Sequence, residues 1–206
     1  MSEPVDIRQF LREWGLEAPE AQRAGRAALE AAGLTRPGKQ AFAAEKLVRA
    51  RAALERSLLR ACAGCAPLAP RDDRVVVPAA QTACQVCGGS NNRRAALRCA
   101  ARLRARKITR VLIVGGTPVQ QRDVRTLFEG SGIELKFVDG TQASHGAKEA
   151  ELNMRWARLV VVWAPTPLRH SVSDRYTAAP YRELKVVTVS RRGIEALCDE
   201  MLRAAG

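Results

Sequence analysis

The sequence predicts an α/β chain in three parts: a helical region at residues 1–61, a four-cysteine module with a basic helix at residues 62–106, and a four-stranded parallel α/β domain at residues 107–206. Three observations carry this reading. Apolar positions recur with helical spacing through the first part. Four cysteines then stand in two close pairs. From Lys107 onward, short apolar runs ending in Gly, Asp, Pro or Ser alternate with helical stretches. The chain has 206 residues, 47 % of them hydrophobic, enough for a sizeable core.

Residues 5–14 read as a first helix, with Ile7, Phe10, Leu11 and Trp14 on one face and Gly15 ending it. A second runs from Pro19, a good first-turn residue, to Ala32, where Gly33 stops it. Leu34-Thr35-Arg36-Pro37-Gly38 is a turn. A third helix is expected from Gln40 to Ala61, burying Leu47, Ala50, Leu54, Leu58 and Ala61 and pointing Arg49, Arg56 and Arg60 elsewhere. Together these make a helical bundle. The second and third helices have the outline of a helix-turn-helix, but Pro37-Gly38 makes the turn longer than that motif uses, and an ordinary helical hairpin is the plainer reading.

The cysteines follow as Cys62-Ala-Gly-Cys65 and Cys84-Gln-Val-Cys87, with eighteen residues between the pairs. That is the spacing of a four-thiolate Zn2+ site, with Cys62, Cys65, Cys84 and Cys87 as ligands. Gly88 lets backbone amides turn back toward the sulfurs without a Cβ clash. The alternatives are two disulfides or chance thiols. A disulfide between residues three apart is strained, and nothing marks the chain as secreted. The start, Met-Ser-Glu-Pro-Val-Asp, is acidic and has no apolar core of a signal peptide. No run of about 18 apolar residues is present, so no membrane partner is expected. A cytoplasmic location follows, where thiols stay reduced. Cys99 and Cys198 fall in helical patterns and read as small buried hydrophobes. Between the knuckles, Val75-Val76-Val77 is expected to form one strand of a small ribbon.

Net charge is +13, with a pI near 10.4, which predicts attraction to polyanions, nucleic acid first. Residues 1–106 carry 19 Lys and Arg against 10 Asp and Glu, and residues 107–206 carry 15 against 11. Arginine dominates, and its planar fork suits phosphates and base edges. The charge concentrates on a helix spanning about Asn92 to Arg106, which Ser90 or Asn91 can cap. Residues 93–110 contain eight basic side chains and no acid. Arg94, Arg98, Arg102 and Arg106 recur every fourth residue as one stripe, with Arg93 beside it, while Ala96, Cys99, Ala100 and Leu103 form a packing face. Like charges at this spacing repel by roughly a few tenths of a kcal/mol per pair. Folding gains nothing from that, so an anion such as a phosphate backbone is expected on the stripe. Solvated faces, or pairing with acids elsewhere in the fold, are the competing explanations.

In the last part, strands are expected at Val111–Val114, Leu135–Val138, Leu159–Trp163 and Leu184–Val189, with helices near Val119–Gly130, Ala147–Ala157, Leu168–Tyr176 and Arg192–Ala204. The first and third strands are the most apolar and belong in the centre. The expected strand order is 2-1-3-4, flavodoxin-like. Ligands of such sheets bind at the carboxyl ends of the strands. There the sequence places Gly115, Gly116 and Thr117, then Asp139-Gly140-Thr141, then Thr166, His170 and Ser171, and finally Arg191. Small residues, hydroxyls and arginines at helix starts make a phosphate cradle. Neither the dinucleotide fingerprint nor a Walker pattern is present. Of the two histidines, His145 and His170, the latter lies near Ser173 and Asp174, yet no nucleophile elbow or paired-carboxylate signature accompanies it. The reading leans away from an enzyme.

Residues 60–95 resemble the zinc-ribbon or treble-clef-like knuckles of many nucleic-acid-associated proteins. The half from Lys107 onward is similar to a small Rossmann-like bacterial domain, the domain-of-unknown-function family 2325. The matching features are Val111–Gly116, Asp139-Gly140, Leu159–Trp163 with His170-Ser171 downstream, and Val186–Ser190 before the last helix. Lysines expected at that family's strand ends are arginines here. The resemblance implies fold and a bacterial source and carries no activity.

The leading expectation is a non-catalytic, zinc-containing nucleic-acid-binding protein, DNA slightly favoured over RNA, serving as a subunit or accessory factor of a bacterial nucleic-acid-processing system. A sensor or enzyme for a nucleotide or phosphorylated metabolite is the alternative. A third reading is a scaffold subunit whose charge meets an acidic protein partner. Only nine aromatic residues are present, which argues against base-stacking platforms. The sequence leaves oligomeric state open.

Overall fold

A computed structural model of the chain describes residues 3–141, 146–165, 168–177 and 184–206. It is a mixed α/β structure that divides into two compact units, Met1–Ser90 and Asn91–Gly206.

In the first unit, α1 (Ile7–Glu13) starts at Asp6, whose side chain accepts a hydrogen bond from Gln9 N. Val5–Asp6 (β1) pairs antiparallel with Ala41–Phe42 (β2). α2 (Pro19–Ala31) carries Gly25 where a Cβ would lie 2.6 Å from Leu16 Cδ1, so glycine admits the Leu11 and Leu16 side chains against the helix. α3 (Leu47–Ser57) closes a core of Ile7, Phe10, Leu16, Leu29, Phe42 and Leu54. Phe10 and Phe42 meet edge-to-face, centroids 5.3 Å apart.

The third helix is much shorter than its periodicity predicts. Its expected first residues form β2 and a 3-10 turn at Ala44–Lys46, so no tight turn joins α2 to α3 and the helix-turn-helix outline is not realised. Its expected last turn is instead β3 (Leu58–Ala61), with Leu58 already extended. β3 pairs with β4 (Val75–Pro78), and the pair is parallel, Leu58 opposite Val75 and Ala61 opposite Pro78. A parallel partner distant in sequence is invisible to local pattern, and it overrides the helical spacing of Leu54, Leu58 and Ala61.

In the second unit, α4 (Asn91–Ala105) leads into a four-stranded parallel sheet of β5 (Arg110–Gly115), β6 (Glu134–Val138), β7 (Leu159–Trp163) and β8 (Lys185–Val189), ordered β6-β5-β7-β8. β7 is buried at every residue, and β5 at all but its first. α5 (Pro118–Phe128), α6 (Ala147–Trp156), α7 (His170–Thr177) and α8 (Ile194–Ala204) connect and complete the unit. Alternate strand residues face opposite cores. Val111, Ile113, Val161 and Trp163 pack with residues of α4, α5 and α8. Leu112, Val114, Val160 and Val162 pack with Ala150, Met154, Val172 and Tyr176 of α6 and α7. The basic helix, which the sequence reading groups with the cysteines, therefore forms part of one helical layer of this sheet, against α8 and α5. Among the described residues no helix is long and apolar enough to cross a membrane.

Candidate functional site

β3 and β4 run side by side in the same direction, so their ends deliver two loops to one place. Cys62 directly follows β3. Ala79 N extends the pair by donating to Ala61 O, and a 3-10 turn at Gln81–Ala83 brings in Cys84. Cross-links tie the loops: Gln85 N donates to Arg60 O, and Arg60 N donates to Gln85 Oε1 at 2.7 Å. The first knuckle turns through Cys65 N and Ala66 N donating to Cys62 O. The second turns through Gly88 N donating to Cys84 O, with Gly88 at φ +58° and Gly89 at φ +80°.

The result brings all four predicted ligands together. The sulfurs of Cys62, Cys65, Cys84 and Cys87 lie within 4.8 Å of one another, and all four residues are buried. Four thiolates at about 2.3 Å around one ion stand about 3.8 Å apart, so the cluster is of the right size to hold a metal ion. Its electrostatics fit as well. Burial works to raise the Cys84 thiol, but hydrogen bonds from the backbone amides of Cys62, Cys87 and Val86 outweigh it and lower the pKa to about 6. Cys65 is raised, by burial first and then by the thiols of Cys62 and Cys87. Cys87 is raised by burial and by Cys84. A first thiolate thus opposes the next, a conflict that a divalent cation resolves.

Arg60 braces this module, a role the sequence reading missed by placing it on a helix surface. Its guanidinium lies 4.1 Å from the Trp14 ring centre, and Nη1 donates to Trp14 O. Partial burial lowers its pKa, against an opposing pull from Glu55. The adjacent Gly15, at φ +88°, has room for nothing larger: a Cβ would lie 3.1 Å from both Arg60 Nη1 and Ala83 Cβ. The only sequence signal was an aromatic and a glycine closing α1.

α4 buries Ala95, Ala96, Cys99, Ala100 and Leu103 and exposes Arg93, Arg98, Arg102 and Arg104, with Arg106 exposed just past its end. Arg94 is half-exposed and reaches Asn91 Oδ1. Arg104 donates to Ser131 O at 2.7 Å. Among the described residues, Arg98, Arg102 and Arg106 form no ion pair and no side-chain hydrogen bond. The helix ends at Lys107, a non-glycine residue at φ +58°, with Ile108 N donating to Leu103 O. Cys99 and Cys198 are both buried free thiols, as the helical pattern implies, and they lie against one another.

At the carboxyl ends of the strands, most candidate residues already have structural tasks. Thr117 caps α5 in a reciprocal box with Gln120: Thr117 N donates to Gln120 Oε1, and Gln120 N donates to Thr117 Oγ1. Pro118 has no N–H and Gln121 N donates to Thr117 O, so the first turn of α5 offers little to a phosphate. Gly115 is buried, its φ +101° suiting a glycine turn. Gly116, at φ +83°, lies so close to Trp163 that a Cβ would be 3.0 Å from its ring. Arg191 reaches Asp199 at 3.7 Å. His170 and Ser171 are exposed at the start of α7. Thr166 and His145 lie outside the described residues.

No family model, no curated protein and no solved structure matches this chain.

Proposed function

We propose that this is a zinc-containing nucleic-acid-binding protein that acts by binding rather than by catalysis, with DNA favoured. The observation that carries the reading is the state of α4. Its small apolar face is fixed in a core, while Arg98, Arg102 and Arg106 stand exposed with no carboxylate partner among the described residues. A helix whose backbone is fixed in a core while its guanidinium groups stand unpaired at solvent presents a ready line of charge to phosphates, so that only the side chains are ordered on binding. Four buried thiolates select zinc over oxygen-preferring cations, and the closed set of four points to a structural ion. A cytoplasmic, bacterial nucleic-acid-processing assembly is the setting that reduced thiols and an exposed basic helix suit.

The double variant Arg98→Glu with Arg102→Glu tests the reading. Retention on duplex DNA at moderate salt should disappear while zinc content and thermal unfolding stay as in the parent. Undiminished binding removes α4 as the interface.

A further inference from the structure

β6 ends the sheet, and its outer edge has a pattern that fits itself. Glu134 N donates to Thr109 O at 2.8 Å, so Glu134 and, by alternation, Lys136 turn their main-chain groups toward β5. Leu135 and Phe137 turn theirs outward, where no strand lies among the described residues. The side chains alternate as well. Glu134 and Lys136 are exposed on one face, and Leu135 and Phe137 are half-buried on the other.

We propose that β6 pairs antiparallel with β6 of a second copy of this chain, across a twofold axis at Leu135, joining two four-stranded sheets into one. This register alone meets three requirements together. Leu135 exchanges both main-chain hydrogen bonds with its twin, because its N–H and C=O already point outward. Glu134 stands opposite the other copy's Lys136, and Lys136 opposite the other copy's Glu134, at the closely spaced non-hydrogen-bonded positions where side chains approach best. Ile133 stands opposite the other copy's Phe137, so the apolar face is also self-matching. Centring the axis on Lys136 would set like charges against each other. Ile133 N is held by Ser131 Oγ at 3.2 Å, which closes the pairing at that end. A concavity of about 560 Å³ beside the apolar face, lined by Arg125, Phe128, Glu129, Ile133 and Leu135 among others, leaves room for the second copy's side chains. Its rim carries both charge signs, in Arg125 and Glu129, as a self-complementary contact requires. Charged side chains on an edge strand often serve to keep it single, but in this register Glu134 and Lys136 attract their counterparts.

The test is the mass in solution of the full-length, nuclease-treated protein at physiological salt, with absorbance confirming that no nucleic acid remains. The parent should be a dimer. Lys136→Glu should weaken it by about tenfold or more, by setting Glu134 against an acid in both pairs. Adding Glu134→Lys to that variant should restore it. Leu135 and Phe137 amides should exchange more slowly with solvent deuterium as concentration rises. A monomeric parent, a dimer indifferent to Lys136→Glu, or a loss that the charge swap does not repair overturns the proposal.

Discussion

Arg60 in one unit and the arginines of α4 in the other use the same side chain in opposite ways. In Met1–Ser90, basic residues barely exceed acids, 13 against 10, and Arg60 is spent inside the fold, stacked on Trp14 and bonded to its carbonyl. In Asn91–Gly206 the balance is 21 against 11, and Arg98, Arg102 and Arg106 stand exposed on or beside a helix whose other side is sealed into a core. The same side chain is a strut at Arg60 and an outward-facing charge on α4. A basic composition therefore says little until each guanidinium has been assigned to one of these uses.

The largest expected effect concerns what holds the first unit together. Cys65→Ser should abolish stoichiometric metal, measured by elemental analysis. It should also melt the first unit at a temperature where the second stays folded, because binding at a structural four-thiolate site amounts to about 10–16 kcal/mol of folding free energy. Loss of both units together would erase the contrast drawn above. Next, Leu103→Ala should cost about 2–5 kcal/mol in the second unit, since the side chain is fully buried among α4, α8 and the sheet. Chemical denaturation would measure it, and nucleic-acid affinity should fall only as the unit unfolds. The finest test sets the two arginines side by side. Arg60→Ala should destabilise the first unit by about 1–3 kcal/mol and leave the salt dependence of binding untouched. Arg98→Ala should leave stability within about 0.5 kcal/mol and reduce the slope of log affinity against log salt by about 1.

Much of this was legible before any coordinates. The cysteine spacing named the four residues that cluster. The apolar runs at Val111, Leu135, Leu159 and Leu184 marked four strands, because fully or half-buried strands are read from composition over a few residues. Pro19 and Gly33 bounded α2 by their backbone preferences alone. The failures share a cause. β3 was hidden because Leu54, Leu58 and Ala61 keep helical spacing, and only the distant valines of β4 decide otherwise. α4 follows the knuckles in sequence, yet its face of three alanines, a cysteine and Leu103 does not say which surface it will cover. Arg60 looked like a surface charge because its partners, Trp14 and Gly15, lie far back along the chain. Gly116 looked like a phosphate loop, and its close approach to Trp163 is a property of the sheet.

One consequence follows from the parallel pairing of β3 and β4. The strands and the two knuckle turns hold the sulfurs in place, and the exposed bend at Arg71-Asp72-Asp73, beyond the first knuckle, is only a tether. Doubling the length of such a tether costs about 0.6 kcal/mol. A fluorescent label or an epitope can therefore be spliced in there, giving a handle on the living protein that leaves its metal cage intact.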